Sequence, residues 1–389
     1  MYNPSRVRER WVMGSEARAI VLVIAVLTAF GLATLYSASA IVAMQEHDDF
    51  SYFFLRQLIG VVVGMAGFAI AAKFDADKLE RLAWPLIVLT MVLMLVTVLP
   101  FTKSIAPSVN GSRRFLFGAS VQPSELGKLA VVVWTAMLVL RKGEQMRRLT
   151  KGLLPFLVVI GVLDVLAFFQ PDLSVAMMFT LLMGIILFAA GVRVGHFVLL
   201  GMLAAPMLWH EIVKRQYAMS RMLSFMGSGD APEVINYQLR QSLIAVGSGG
   251  VLGKGFGQGQ QQYGWVPFGY NDFIGSNIGE EWGFLGMMFI VLIFALYTYL
   301  GLRIARQARS RFLELVGIGL TTVTAITAYL HIGVVLGMLP TTGLTLPFVS
   351  YGRSNLVLSF VLTGILVNIG SQKERVYGET ATDPSVVPG

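Results

Sequence analysis

The feature that most constrains this chain is a series of ten apolar stretches, each about as long as a helix that crosses a bilayer. A spanning helix needs about 20 mostly apolar residues, and the bilayer core offers no partner to an unpaired backbone polar group. Hydrophobic residues make up 55% of the 389 residues and charged residues only 13%. The sequence therefore predicts an all-α polytopic membrane protein rather than a soluble enzyme. The predicted spans run near 19–44, 53–72, 82–100, 124–141, 153–169, 173–191, 194–211, 282–302, 314–338 and 352–370.

Basic residues divide unevenly between the two sides of these spans. If both termini lie inside, the inner segments hold most of the 30 lysines and arginines, as cytoplasmic loops usually do. We therefore predict a cytoplasmic N-terminal segment 1–18, a ten-helix domain 19–370 and a cytoplasmic tail 371–389, disordered from 376. The first span is expected to be retained rather than cleaved as a signal peptide. The net charge of +8 is then explained by basic residues that orient the protein in the membrane and contact anionic lipid. Nucleic acid is not an expected partner.

The sequence contains no cysteine and four histidines. Disulfides, a thiolate nucleophile and cysteine-ligated metal sites are therefore excluded. No two histidines have the spacing of a zinc motif, so a histidine zinc site is not expected.

The longest outer loop, 212–281, has a glycine-rich centre that only partly matches a phosphate-binding loop. A Walker A motif requires glycine five residues before its Gly-Lys pair and serine or threonine after it. Those positions hold Ser248 and Gly255 around Lys254. The pattern favours a tightly turned loop in which glycines supply positive φ angles, while contact of Lys254 with phosphate stays an alternative.

Several charged residues near the outer side are candidates for chemistry. Asp272 lies among aromatic residues that would raise its pKa towards the range of a general base, or it caps a short helix. Glu280 and Glu281 precede the eighth span, where acids complement the helix dipole. Glu125 and Lys128 lie three residues apart at the start of the fourth span, where charges are costly and usually paired or functional.

Three further positions combine charge with a turn. Arg113 and Arg114 follow the turn signal at 110–111 and either clamp a diphosphate or form a solvated loop face. Asp172, in the turn between spans five and six, either caps a helix or contributes to a site. Arg353 lies at the outer mouth of the tenth span, where an arginine also suits phosphate.

In these segments the chain resembles the SEDS family (shape, elongation, division and sporulation), which includes FtsW and RodA. The matching segments occur in the family's order and are distributed over most of the chain, from 110 to 355. They are Asn110-Gly-Ser-Arg-Arg-Phe115, Gln122-Pro-Ser-Glu-Leu-Gly-Lys128, Gln170-Pro-Asp172, Gly249-Gly-Val-Leu-Gly-Lys-Gly255, Asn271-Asp-Phe-Ile274, Ile278-Gly-Glu-Glu-Trp-Gly-Phe284 and Gly343-Leu-Thr-Leu-Pro-Phe-Val-Ser-Tyr-Gly352.

The resemblance implies a peptidoglycan glycosyltransferase of the bacterial cytoplasmic membrane that polymerises lipid II with inversion at the sugar. The family's catalytic aspartate matches Asp272, and the charged pair of its Gln-Pro-Ser-Glu motif matches Glu125 and Lys128. The implied partners are a class B penicillin-binding protein, undecaprenyl-diphosphate-linked glycan and other divisome or elongasome proteins, and a divalent cation (Mg²⁺ or Mn²⁺) is a candidate cofactor. The groups expected to bind substrate are Arg113, Arg114, Glu125, Lys128, Asp172, Arg221, Lys254 and Arg353.

The chain departs from the family pattern near these groups. The acid that usually precedes the aspartate is missing, which removes a candidate metal ligand. Thr342 replaces a lysine that is common in the division members, and Arg353 replaces a glycine. One cation is thus lost and another gained within one outer turn.

Three alternative functions remain open from the sequence. A lipid II transporter would use Glu125, Lys128 and Asp164 as a polar track, but the sequence lacks the repeats or paired broken helices typical of transporters. A non-catalytic scaffold would need no acid at Asp272. An elongation polymerase is the third, although the segment at 343–347 resembles the division members more closely.

Overall fold

The computed structural model describes residues 7–108, 112–117, 121–147, 149–227 and 233–377. Within these ranges the chain is built almost entirely of helices, which confirms the predicted all-α membrane architecture. Their bounds are α1 Ser15–His47, α2 Tyr52–Lys73, α3 Leu79–Val98, α4 Pro123–Lys142, α5 Leu154–Phe169, α6 Leu173–Ala189, α7 Val194–Lys214, α8 Gln216–Phe225, α9 Glu233–Ser248, α10 Ile274–Arg306, α11 Arg311–Val335 and α12 Arg353–Ile369.

Each predicted span overlaps one helix, and most of these helices are long and apolar enough to cross a bilayer. Among the described residues, seven candidates meet both criteria, and two shorter apolar helices, α6 and α12, accompany them. The figure of ten crossings therefore stays a prediction. At about 1.5 Å per residue, the 33 residues of α1 extend for about 50 Å, well beyond the hydrocarbon core.

The helix α4 lies at the centre of the bundle, and its neighbours shield it from lipid. Its side chains Val131, Val132 and Trp134 are completely buried, whereas α2 and α3 expose many apolar side chains at the periphery. Between α2 and α12 the contact depends on glycine, since a Cβ atom at Gly64 would lie 2.5 Å from the ring of Phe360. Small residues at membrane helix contacts allow such close approach.

Two short strands bring the ends of the described chain together, a feature that the sequence analysis did not predict. Strand β1, Val7–Met13, pairs antiparallel with strand β2, Ser371–Tyr377. The pairing continues in the bond from the Gly14 N–H to the Gly370 carbonyl, 3.1 Å long. Both ends therefore lie on one side of the bundle. The disorder predicted from 376 is wrong for residues 376 and 377, which belong to β2, and residues 378–389 lie outside the described residues.

The eighth predicted span begins earlier than the sequence analysis proposed. Helix α10 starts at Ile274 rather than near 282, so Glu280 and Glu281 lie inside the helix. The early turns form because Ile274 and Ile278 are completely buried in the protein. At Gly283 the backbone leaves helical geometry (φ 62°, ψ −155°), and the long apolar part of α10 follows this kink.

Candidate active site

A polar cavity of about 270 Å³ opens on the side of the bundle opposite the paired strands. Six of the nine residues predicted to form the site line it, although they come from five separate segments. They are Arg114, Glu125, Lys128, Asp172, Asp272 and Arg353. We call this space the polar cavity.

The first two turns of α4 supply a buried ion pair to the polar cavity. Pro123 occupies the first turn of the helix, where its missing N–H costs nothing. The Lys128 Nζ lies 2.7 Å from the Glu125 Oε1, and the lysine side chain is only 2% exposed. The second oxygen, Glu125 Oε2, has no hydrogen-bond partner among the described residues. The pair therefore lies inside the protein and borders the cavity. This agrees with the expectation that charged side chains at membrane depth are paired and face away from lipid.

Asp172 combines the two roles that its sequence position left open. Its Oδ1 accepts a hydrogen bond from the Val175 N–H at 3.3 Å and so caps α6. Its Oδ2 accepts a hydrogen bond from the Arg114 guanidinium at 3.2 Å. The cap therefore fixes a carboxylate that in turn positions Arg114 at the cavity wall.

Asp272 lies two residues before α10, in a segment that two backbone contacts hold in place. The Tyr351 N–H donates to the Tyr270 carbonyl at 3.1 Å, and the Ser350 hydroxyl donates to the Asn271 carbonyl at 2.8 Å. Burial raises the pKa of Asp272 above its ordinary value, whereas the charges of Arg114 and Arg221 act in the opposite direction. A raised pKa brings a carboxylate closer to the range that suits a general base.

A glycine keeps space open beside this carboxylate. A Cβ atom built at Gly343 would lie 3.6 Å from the Asp272 Oδ2 and 3.8 Å from an Arg221 guanidinium nitrogen. Arg221, on α8, is therefore close to Asp272 although it is not among the residues that line the polar cavity. The φ of Gly343, 73°, is one that other residues rarely adopt.

The structure adds a cation that the sequence analysis missed. Arg56, on α2, lines the polar cavity, and its guanidinium carbon lies 4.1 Å from the centre of the Tyr52 ring. It is a single charge near the outer end of a predicted apolar span, which is the signal that would have identified it. With Lys128, Arg114 and Arg353, it brings to four the basic side chains that line the cavity together with the carboxylates of Glu125, Asp172 and Asp272.

Two predicted substrate-binding residues lie elsewhere and have structural roles. The Arg113 side chain donates to the Ala106 carbonyl and to the Thr102 hydroxyl, both at 3.1 Å, and so organises its own loop. The Lys254 Nζ lies 2.7 Å from the Glu280 Oε1. In this structure both cations are turned to protein partners and neither lines the polar cavity.

The glycine-rich segment packs against the start of α10, as a tightly turned loop would. The Lys254 and Gly255 N–H groups donate to the Glu280 and Glu281 carbonyls, each at 3.0 Å. At Gly253, where φ is 81°, a Cβ atom would collide with the Glu281 carbonyl oxygen. Close backbone contact is therefore enough to require glycine at Gly249 and Gly253.

A metal ion has only a partial set of protein ligands here. The described residues contain no group of three or more acidic, histidine or cysteine side chains arranged to hold one. Two of the three carboxylates at the polar cavity are already bonded to Lys128 and Arg114. The residues described do not form a metal-binding cage by themselves.

Known structures share this fold. A chain of a peptidoglycan synthase complex that coordinates polymerization and crosslinking superposes with a TM-score of 0.75, at 22% identity, over 91% of this chain and 97% of that one. The rod shape determining protein RodA of Thermus thermophilus superposes with a TM-score of 0.64, at 24% identity, over 90% of this chain and 95% of that one. At these identities the likeness establishes the fold alone.

Sequence comparison establishes the family. The chain is 36% identical to the probable peptidoglycan glycosyltransferase FtsW of Trichlorobacter lovleyi, over 90% of this chain and 92% of the relative. It is 33% identical to the stage V sporulation protein E of Bacillus subtilis, over 90% and 95% of the two chains. The profile of the cell cycle protein family FtsW/RodA/SpoVE matches residues 17–375. The chain therefore belongs to the FtsW/RodA/SpoVE family of cell cycle proteins, which is the SEDS family that its motifs resemble.

Proposed function

We propose that this chain is a peptidoglycan glycosyltransferase that polymerises lipid II into glycan strands for the division septum. The observation that carries the proposal is the polar cavity, in which Asp272 lies among basic side chains while the other two carboxylates, Glu125 and Asp172, are bonded to Lys128 and Arg114. A diphosphate leaving group needs those cations, and a sugar hydroxyl needs that base. The relatives named FtsW support the septal role over the elongation role.

The reaction joins two lipid-linked sugars. The 4-hydroxyl of the incoming N-acetylglucosamine attacks the anomeric carbon of the growing strand and forms the new glycosidic bond. Asp272 accepts the hydroxyl proton as that bond forms, and the bond from the anomeric carbon to the undecaprenyl diphosphate breaks with its electron pair. Attack from the opposite face converts an α linkage to a β linkage. General-base assistance of this kind contributes about 10²–10⁴-fold to a rate.

The basic side chains stabilise the charge that develops on the diphosphate. Lys128 supplies a compact ammonium, and Arg114 and Arg353 supply planar guanidinium groups suited to two phosphate oxygens. Charge stabilisation in a partly dehydrated site is often the largest catalytic contribution. A divalent cation would supply further neutralisation of the diphosphate charge, and Glu125, whose Oε2 has no partner among the described residues, is the cavity carboxylate that would hold it.

The membrane position of the site fits the substrate. We infer that the polar cavity faces the outside and that both termini are cytoplasmic, because the opposite end of the bundle carries most of the basic residues. Cysteine introduced at Met146 and at Gln260 in this cysteine-free chain should react from opposite sides of sealed vesicles. Reaction of both from the same side contradicts this orientation.

A class B penicillin-binding protein is the partner that we propose, since the structural neighbour belongs to a complex that coordinates polymerization and crosslinking. The test uses the purified chain with lipid II in detergent or liposomes, with and without that partner. Glycan strands resolved by gel electrophoresis support the proposal. Transfer of lipid II between leaflets without strands identifies a transporter, and neither activity identifies a scaffold.

A further inference from the structure

A second cavity, also of about 270 Å³, lies on the other face of the segment that carries Asp272. Its walls come from the outer end of α1, from the loop at 261–270 and from the early turns of α10. Phe268, Gly269 and Tyr270 line this second cavity, whereas Asn271 and Asp272 line the polar cavity. A single stretch of backbone therefore separates the two spaces.

The two cavities differ in charge. The described side chains that line the second cavity include no lysine, arginine or histidine, and its charged residue is Glu46. A diphosphate would meet no cation there and would be repelled by that carboxylate. The second cavity is therefore suited to a neutral, hydrogen-bonding ligand rather than to the leaving group.

Its polar lining has unused hydrogen-bonding capacity. Asn277, which is 2% exposed, donates from Nδ2 to the Gly269 carbonyl at 2.9 Å, but its Oδ1 has no partner among the described residues. The Gln261 Oε1 is likewise buried without a partner among them. Buried acceptors normally have a partner, so two unpartnered amide oxygens on residues that line one cavity leave hydrogen-bonding capacity for a ligand that donates hydrogen bonds.

The framework around these acceptors is already fixed. Gln262 donates to the Gly257 carbonyl at 3.0 Å and accepts from the Ser37 hydroxyl at 3.2 Å. The backbone N–H of Gln261 donates to the Glu280 carboxylate at 3.0 Å. Two aromatic side chains, Phe268 and Tyr270, complete the wall. Fixed polar groups beside aromatic side chains are typical of a preformed ligand site.

We propose that the second cavity is a subsite for a sugar ring of the glycan strand under synthesis. A pyranose carrying hydroxyl and acetamido groups supplies hydrogen-bond donors to the amide oxygens and an apolar face to the aromatic rings. A volume near the lower end of the usual range for ligand pockets, about 300–1,000 Å³, suits one sugar and not a polyprenyl chain. This assignment rests on the proposed function, because it takes the strand to be the ligand.

The test measures sugar binding separately from catalysis. The probe is the β-1,4-linked tetramer of N-acetylglucosamine, which is neutral and soluble, and binding is followed by saturation-transfer NMR. The protein carries Asp272→Asn, so that turnover plays no part. Val42→Phe fills the second cavity from α1 and should weaken binding at least about tenfold. Met44→Phe introduces the same aromatic side chain at an exposed position of the same helix and should leave binding unchanged.

A second variant tests the same cavity in case Val42→Phe does not fold. Gln261→Leu keeps the side-chain volume and the backbone bond to Glu280 but removes the orphaned acceptor, so it should weaken binding several-fold. The proposal is overturned if the Asp272→Asn protein does not bind the tetramer. It is also overturned if Val42→Phe and Gln261→Leu bind the tetramer as tightly as the Asp272→Asn protein without them. With lipid II and an intact Asp272, Val42→Phe should produce shorter strands than Met44→Phe, and equal strand lengths overturn the assignment to the growing strand. Tetramer binding by a protein that makes no strands refutes the proposed function and not the sugar-binding cavity.

Discussion

Asp272 and Glu280 are two carboxylates at the same end of α10, yet the structure uses them in different ways. Glu280 is completely buried and accepts bonds from the Lys254 ammonium at 2.7 Å and from the Gln260 and Gln261 N–H groups at 2.9 and 3.0 Å. Asp272 borders the polar cavity, with arginine charges nearby and space kept open by Gly343. A carboxylate whose oxygens are bonded holds a loop, whereas one that faces a cavity can accept a proton from a ligand.

The largest effect on stability is expected at Glu280. Glu280→Ala removes the acceptor of three donors, and loss of one partner from a buried pair typically costs about 3–5 kcal/mol. Because Lys254 is 28% exposed, the cost should fall at the lower end of that range. The melting temperature of the detergent-solubilised protein should drop clearly, while Asp272→Asn should melt close to the parent. Equal melting temperatures for all three proteins would break the distinction drawn between the two carboxylates.

A smaller effect, on catalysis alone, is expected from Arg353. Hydrogen bonds to charged groups contribute about 1.5–3 kcal/mol, so Arg353→Gly should slow polymerisation about 10–100-fold. Thr342 adjoins Gly343 beside Asp272, so adding Thr342→Lys should restore a substantial part of the rate if one cation replaces the other. The alternative is that Arg353 only anchors its helix at the lipid headgroups, in which case Arg353→Gly should cause a mild loss and Thr342→Lys should not restore the rate. The polymerisation rates are measured with lipid II, and only variants that fold and bind the partner as the parent does are compared.

The smallest effects separate two adjacent arginines. Arg114 lines the polar cavity and bonds to Asp172, whereas Arg113 bonds to its own loop. Arg114→Ala should lower the polymerisation rate about tenfold, as expected for loss of one charged contact of about 1.4 kcal/mol. Arg113→Ala should stay within about threefold while lowering the melting temperature. The reverse order of rates would show that the cavity is lined differently when substrate is bound.

Much of this arrangement was predictable from the sequence because it depends on local patterns. The spans follow from apolar length, and the Glu125–Lys128 pair follows from helical spacing. For Asp172 the sequence left two roles open, a helix cap and a contribution to a site. The structure shows both, because one carboxylate oxygen caps α6 and the other accepts a hydrogen bond from Arg114. Asp272 was identified by its aromatic neighbours and by the family motif.

The rest depends on contacts between residues that are distant in the chain. Nothing local indicates that Lys254 pairs with Glu280, 26 residues away, or that Arg113 turns inward while Arg114 turns to the cavity. Arg56 was missed because the apolar pattern of α2 dominates its neighbourhood. The strand pair β1–β2 joins the two ends of the described chain, and no periodicity in either segment predicts such a long-range partner.

The most direct test of the central claim compares the parent protein with Asp272→Asn in a lipid II polymerisation assay, with the partner transpeptidase present. Asparagine keeps the size of the side chain but cannot accept the hydroxyl proton. We expect the polymerisation rate of Asp272→Asn to be about 10²–10⁴-fold lower than that of the parent, with an unchanged melting temperature and normal partner binding. Strand synthesis by Asp272→Asn at close to the parent rate would show that Asp272 is not the base.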